Sequence, residues 1–177
     1  MQNSASHSSI QKKKVLIVVF DLINFGSFSR ESDSADIFSA LDHFYISSKA
    51  KIEKNGGKVV KFISDSGLAY FEADDADKGI RTMWELKKDT DIWFSKITAK
   101  GGLAVNCHVG EVTMGEITGP HGRQLEILGD AVNTTFTLGK RQFLLSPEAF
   151  RSLESETRKI FKKYTPPIVY RLSQEIG

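Results

Sequence analysis

A single α+β domain is predicted for this chain of 177 residues. The length matches one domain by the usual prior of roughly 150 residues. The first half alternates apolar β-branched runs with helix-period stretches, in the order strand, helix, strand, strand, helix, strand. No repeat and no Pro/Gly/Ser-rich linker interrupts it. That order is the split β-α-β-β-α-β pattern of ferredoxin-like folds.

Residues 1–12 are rich in Ser, Gln and Asn and read as a flexible tail. The domain is then 13–177. VLIVVF (15–20) is a continuous apolar run and reads as a strand buried on both faces. Residues 22–34 read as a loop with an aromatic interior. A helix over about 34–54 is predicted from Ile37, Leu41, Phe44 and Tyr45 at helical spacing, with Gly56-Gly57 past its end. KVVKFISD and SGLAYFEA read as a hairpin turning around Asp65-Ser66-Gly67. A second helix, about 75–98, carries the stripe Ile80, Met83, Trp84, Ile92 and Phe94. Then come a strand with turn glycines leading into another (102–118), a short strand at QLEIL, and a short helix in GDAVNTTFTL that Gly139 ends. FLLS is a strand. SPEAFRSL is a helix with Ser146 as N-cap and Pro147 in its first turn. A basic strand-like stretch and PPIVYRL close the chain.

Composition excludes several classes. Hydrophobic residues are 40% and charged residues 26%, ordinary values for a soluble globular protein. No apolar run approaches the ~20 residues of a membrane span. The first residues lack the apolar core of a secretory signal. The single cysteine, Cys107, cannot form an internal disulfide, which fits a reducing cytoplasm. Net charge is only +2 with the signs mixed, so nucleic acid is not an expected partner. The lysine runs 12–14 and 162–163 read, as bare charge, as solvated faces. His7 and His121 read as solvent-exposed.

Two aspartates stand at strand ends: Asp21 after VLIVVF, and Asp65 at the hairpin tip. If their strands are neighbours, both carboxylates meet at one end of the sheet. Such a pair suits Mg²⁺ or Mn²⁺, hard cations that prefer oxygen and often keep substrate phosphates as ligands.

The stretch from Val15 to Leu138 resembles the catalytic domain of class III adenylate and guanylate cyclases. VVFDLINFGSFS is similar to the family's opening strand, metal aspartate and following loop. GGKVVKFISDSGLAYF resembles G-G-x-x-x-K-x-x-G-D-x-x-x-A-x-F. LAVNCHVGEVTMGEIT resembles I-G-I-H-x-G-x-V-x-x-G-x-I-G, and LEILGDAVNTTFTL resembles Y-D-x-x-G-D-x-V-N-x-A-x-R-L. The four motifs occur in the family's order.

The resemblance implies roles for named residues. Asp21 and Asp65 fall on the two aspartates that hold a pair of divalent ions. One ion helps activate the ribose 3′-hydroxyl and the other binds the triphosphate. Leu22 falls where a backbone oxygen helps hold an ion. Ile23, Asn24, Phe25, Gly26 and Ser27 fall on the segment whose backbone N–H groups receive phosphate. Lys61 falls on the adenine-selecting lysine and Glu126 on its partner position. A lysine can donate to adenine N1 and a carboxylate can accept from N6–H₂, a pattern that favours ATP. Read without the resemblance, the two are a cross-strand ion pair. Asn133 falls on the ribose-orienting asparagine, and Lys162 on a phosphate-binding lysine. His108 matches the strand histidine and reads as structural. Phe28, Trp84, Trp93 and Phe94 read as core or dimer-interface residues.

Three departures stand out. Thr137 occupies the position of an arginine that stabilises charge on the transferring phosphate. The helix carrying it is short, and the direction of Lys140 and Arg141 beyond it cannot be read. Ser64 replaces the glycine before the second aspartate. The resemblance implies an enzyme that converts ATP to cyclic AMP and pyrophosphate in intracellular signalling. It would act with two metal ions per site, as a head-to-tail homodimer with shared sites. The alternative is a cyclase-like nucleotide-binding or dimerising regulatory domain with little turnover.

Overall fold

The computed structural model describes residues 10–120 and 122–175. Its elements are β1 (Gln11–Ile23), α1 (Phe25–Glu31), α2 (Ser34–Lys54), β2 (Lys58–Ile63), β3 (Ser66–Glu72), α3 (Ala76–Phe94), β4 (Gly102–Gly119), β5 (Gly122–Leu128), α4 (Asp130–Thr137), β6 (Phe143–Leu145), α5 (Pro147–Arg151), α6 (Ser155–Arg158), β7 (Phe161–Tyr164) and β8 (Val169–Leu172). The strands form one sheet in the order β2-β3-β1-β4-β6-β8-β7, with β5 paired to β4 off that path. β1 runs antiparallel to both β3 and β4. The first four strands thus have the ferredoxin-like arrangement, extended at the β4 edge.

Alternation along β1 explains its unbroken apolar sequence. Leu16, Val18, Phe20 and Leu22 join the main core under α2 and α3. Val15, Ile17 and Val19 face the other side, in a second cluster with Leu68, Tyr70, Val112, Ile127 and two α4 residues, Ala131 and Val132. Both faces are covered, so neither alternate position can be polar. The second face is covered less completely, because α4 is only eight residues long. The end of the sheet beyond it stays open.

Helix boundaries follow local chemistry. Asp33 caps α2 by accepting from the Asp36 N–H at 3.0 Å. Ser146 caps α5 by accepting from the Ala149 N–H at 3.1 Å, with Pro147 in the first turn. The Ser146 hydroxyl also lies 2.9 Å from His108 Nδ1. His108 therefore has a structural role as a neighbour of a helix cap. Phe28 and Phe94 are core residues, and Trp84 and Trp93 pack, partly buried, against that core.

Several expectations are corrected. The expected loop at 22–34 contains α1, because Phe25 and Phe28 share a face and pack in the core. Gly26, Ser27 and Ser29 are weak helix formers and hide this turn from a propensity reading. β4 is one strand of 18 residues and not two. Gly110 does not turn it: a Cβ there would lie 2.6 Å from the Ala131 Cβ, so the glycine lets α4 approach. α6 was not anticipated. β1 starts at Gln11, two residues inside the expected tail, and Lys13 pairs with Glu72 at 2.6 Å. His7, His121 and the rest of the tail before Ile10 lie outside the described residues.

Candidate active site

Asp21 continues the series Val15, Ile17, Val19 on β1, so the pleat aims it to the open face. Its neighbours in the sheet are Ser66 on β3 and Ala104 on β4. The Ser66 hydroxyl donates to Asp21 Oδ1 at 2.5 Å. Asp65 sits in a two-residue turn, Ser64–Asp65, since Ile63 already pairs with Ser66. The turn is therefore tighter than the sequence reading and lies one residue earlier. Its tip is fixed from two sides. The Leu22 N–H donates to the Asp65 carbonyl at 3.0 Å, and the Tyr45 hydroxyl of α2 donates to the Ser64 carbonyl at 2.6 Å. Gly67 is needed just behind it, because a Cβ there would lie 2.2 Å from the Phe20 ring.

The two aspartates share a cleft of about 560 Å³. Leu22, Ile23, Asn24, Phe25, Gly26 and Ser27 line it as well. Burial holds the Asp21 carboxyl above the usual carboxylate range; the Ser66 hydrogen bond opposes this, the Asp65 charge adds to it, and Lys140 partly offsets it. A carboxylate whose ionisation is made costlier by burial and by a neighbouring carboxylate is one that a divalent cation relieves. Among the described residues no group of three or more His, Cys, Asp or Glu could hold an ion. The protein thus offers a partial shell of hard oxygens, which fits Mg²⁺ or Mn²⁺ completed by water and phosphate.

The segment after Asp21 is held in shape. Asn24 adopts φ +66° at the start of α1, and its side-chain amide donates to the carbonyls of Ala99 and Lys100 at 3.2 and 3.0 Å. The Ser27 N–H already donates to the Asn24 carbonyl at 3.1 Å.

The other expected site residues are elsewhere in the chain. Lys61 Nζ donates to Glu126 Oε2 at 2.6 Å, joining β2 to β5. Asn133 is exposed on α4, and Lys162 is exposed on β7. β7 stands four strands from β1, about 19 Å at ~4.8 Å per strand. None of these four lines the aspartate cleft. Thr137 is exposed at the end of α4, where its hydroxyl lies 3.2 Å from the Asn133 carbonyl and 3.1 Å from that of Thr134. The sequence reading missed Ser66, Arg30 and Asn106 as cleft residues and left Lys140 and Arg141 unplaced; all five line it. Ser66 could have been found from the hairpin register, two residues of turn being enough to face it toward Asp21.

No family model matches the chain, and no curated protein sequence matches it. Solved structures do. A bacterial light-regulated adenylyl cyclase superposes with a TM-score of 0.80 at 18% identity, over 94% of this chain and 53% of that one. This chain therefore spans about half the length of that protein. The adenylyl cyclase CyaB from P. aeruginosa gives 0.79 at 18% identity, over 93% of this chain and 95% of that one. The guanylate cyclase domain of RhGC from Catenaria anguillulae, solved in complex with GTP, gives 0.76 at 16% identity, over 92% and 98%. The fold of this chain is that of class III nucleotide cyclase catalytic domains.

Proposed function

We propose that this chain is a nucleotide cyclase domain that converts ATP to cyclic AMP and pyrophosphate. The observation that carries the reading is the pairing of Asp21 and Asp65 in one cleft beside the 22–27 segment, on a cyclase fold. In the reaction the ribose 3′-oxygen attacks the α-phosphorus, the bond from that phosphorus to the β-phosphate bridging oxygen breaks, and the 3′-hydroxyl proton is lost. Bound Mg²⁺ or Mn²⁺, two ions per site, would supply Lewis-acid stabilisation of the attacking and leaving oxygens. Asp21 and Asp65 would hold them, with the Leu22 carbonyl. Ser66 fixes the Asp21 carboxylate, and the 23–27 segment positions phosphate.

The reading includes a head-to-tail homodimer. Lys61 and Glu126, the residues at the base-selecting positions, lie outside the aspartate cleft, as do Asn133 and Lys162. A second protomer turned end for end would bring its Lys61 and Glu126 to adenine, its Asn133 to the ribose and its Lys162 to phosphate. Lys61 and Glu126 together offer one donor and one acceptor, the pattern of adenine N1 and N6–H₂, which supports ATP over GTP. The reading places the protein in the cytoplasm, in cyclic-nucleotide signalling, with the domain over 13–177. Among the described residues no helix is long and apolar enough to cross a membrane.

One observation favours a second reading, a nucleotide-binding regulatory domain with little turnover. Thr137 turns its hydroxyl onto its own helix and brings no charge to a transferring phosphate. Incubation of the purified chain with ATP or GTP and Mn²⁺, followed by assay of cyclic product, separates the two. ATP binding without cyclic product supports the regulatory domain.

A further inference from the structure

The aspartate cleft has a second, cationic wall that the motif comparison does not account for. Arg30 of α1 and the adjacent pair Lys140–Arg141 line the same cleft as Asp21 and Asp65. We propose that Lys140 and Arg141 bind the polyphosphate of the nucleotide within the protomer that supplies Asp21 and Asp65. The assignment rests on the cyclase reading for the identity of the nucleotide, and on the cleft itself for the binding of polyphosphate.

The loop that carries the two cations is built into the sheet. The Asn106 side-chain amide of β4 donates to the Gly139 carbonyl at 2.9 Å. The Val105 N–H donates to the Gln142 carbonyl at 2.9 Å, just before β6 begins. At Gly139 the backbone presses so closely on Leu144 that an added Cβ would lie 2.4 Å from its Cδ1. Between these ties Arg141 is held at φ +66°, a left-handed conformation that L residues disfavour. A glycine would adopt this backbone with less strain, so the arginine side chain sits at a position its backbone does not favour.

The chemistry fits an anion. Lys140 and Arg141 are exposed, and neither forms an ion pair among the described residues. Arg30 donates to the Ser27 hydroxyl at 3.2 Å, so its charge stands over the segment expected to meet phosphate. Lys140 is close enough to Asp21 to act on its carboxyl. Asn106, 7% exposed, spends its side-chain amide N–H on the Gly139 carbonyl and so fixes the loop rather than the anion. An anion that also brings divalent cations would meet both walls at once: its metals on the carboxylates, its oxygens on the guanidinium and ammonium. A polyphosphate has that character, and arginine recognises it with a two-pronged set of donors. The site lies in cis because all these groups line one protomer's cleft, whereas Thr137 at the end of α4 carries no charge.

The test uses the full chain and inorganic tripolyphosphate with Mg²⁺, titrated by calorimetry. Arg141→Gly and Lys140→Ala are each expected to weaken binding about tenfold or more, the range of a lost charge-assisted hydrogen bond. Arg141→Gly is expected to keep or raise the melting temperature, because glycine accepts the left-handed backbone. A merely structural Arg141 would leave affinity unchanged. Unchanged affinity in both variants overturns the proposal. Mixed dimers then decide between cis and trans. Asp65→Asn mixed with Lys61→Ala is expected to regain cyclic product, while Asp65→Asn mixed with Arg141→Gly is not. Recovery in the second mixture would place Arg141 across the dimer and overturn the cis assignment. If the wild-type chain makes no cyclic product, the cyclase reading fails alone, and the tripolyphosphate titration still decides whether these cations bind polyphosphate.

Discussion

Lys61→Met separates the two meanings of the Lys61–Glu126 pair. The side chains are 40% and 21% exposed, so the pair is neither free on the surface nor fully desolvated. An ion pair in such a place contributes about 0–1 kcal/mol to stability, because water screens it and two long side chains must be ordered. Its loss leaves Glu126 partly satisfied, since Oε1 accepts from the Ile127 N–H at 3.2 Å. Urea denaturation should therefore show a loss of no more than about 1 kcal/mol. The cost in catalysis should be larger. A donor lost from adenine N1 removes a charged hydrogen bond worth about 1.5–3 kcal/mol, or roughly 10–150-fold in kcat/KM for ATP. Guanine N1 carries a hydrogen and cannot accept from the ammonium, which leaves only O6 as an acceptor there, so GTP turnover should fall less. The assay is cyclic product from each nucleotide with Mn²⁺, and the quantity that matters is the ATP-to-GTP ratio. A stability loss above about 2 kcal/mol with an unchanged ratio would show that the pair is a structural staple and sink the base-reading role.

Asp21→Asn should abolish turnover while raising the melting temperature in metal-free buffer at neutral pH. Burial raises the Asp21 pKa in the folded state, so its contribution to stability is fully present at low pH and is lost as pH rises through the folded value. The amide keeps the shape without the charge, and a lower melting temperature at pH 7 would contradict this sign. Ser64→Gly should stabilise the fold by about 0.5–1 kcal/mol, since Ser64 sits at φ +54° and glycine keeps the carbonyl that Tyr45 holds; no gain in urea would refute the strain at this turn. His108 should make stability fall under mild acid. Burial lowers its pKa while Glu148, 3.6 Å away, acts in the opposite direction. Its contribution is complete above about pH 6.5 and is lost as pH falls through the depressed folded value. His108→Gln should flatten the stability profile between pH 7 and 5, and an unchanged slope would assign the dependence to other groups.

The strand order was legible because β1 is an unbroken apolar run and turn residues join β2 to β3, signals that need no tertiary knowledge. Asp21 and Asp65 were legible for the same reason, as polar residues ending apolar strands. What stayed hidden depends on contacts distant in sequence. α1 exists because Phe25 and Phe28 find the core, against poor local propensity. Gly110 looks like a turn but serves the approach of Ala131. Lys140 and Arg141 follow a helix end, where direction is set by ties from Asn106 and Val105 more than 30 residues earlier. Residue types alone carry no information about those ties.

The lysine proposed to read the base depends on an irregularity that no pattern predicts. In β2, Val59 faces Ala69 and Lys61 faces Leu68, so two steps on one strand match one step on the other. Regular pleating would send Val59 and Lys61 to the same side, under α2. The bulge at Val60 breaks that rule and turns Lys61 to the side of Leu68, the open face shared with Asp21 and Ser66. Phe62 returns to the helix side and stacks on Tyr45 with ring centroids 4.0 Å apart. Tyr45 in turn holds the Ser64 carbonyl at the hairpin tip. One extra residue thus sets two things together. Lys61 is aimed outward toward Glu126, and Asp65 is held over the cleft by an aromatic stack that needs Phe62 facing inward. The separation of the two along the hairpin is what makes a single strand pair able to serve two different sites in the proposed dimer.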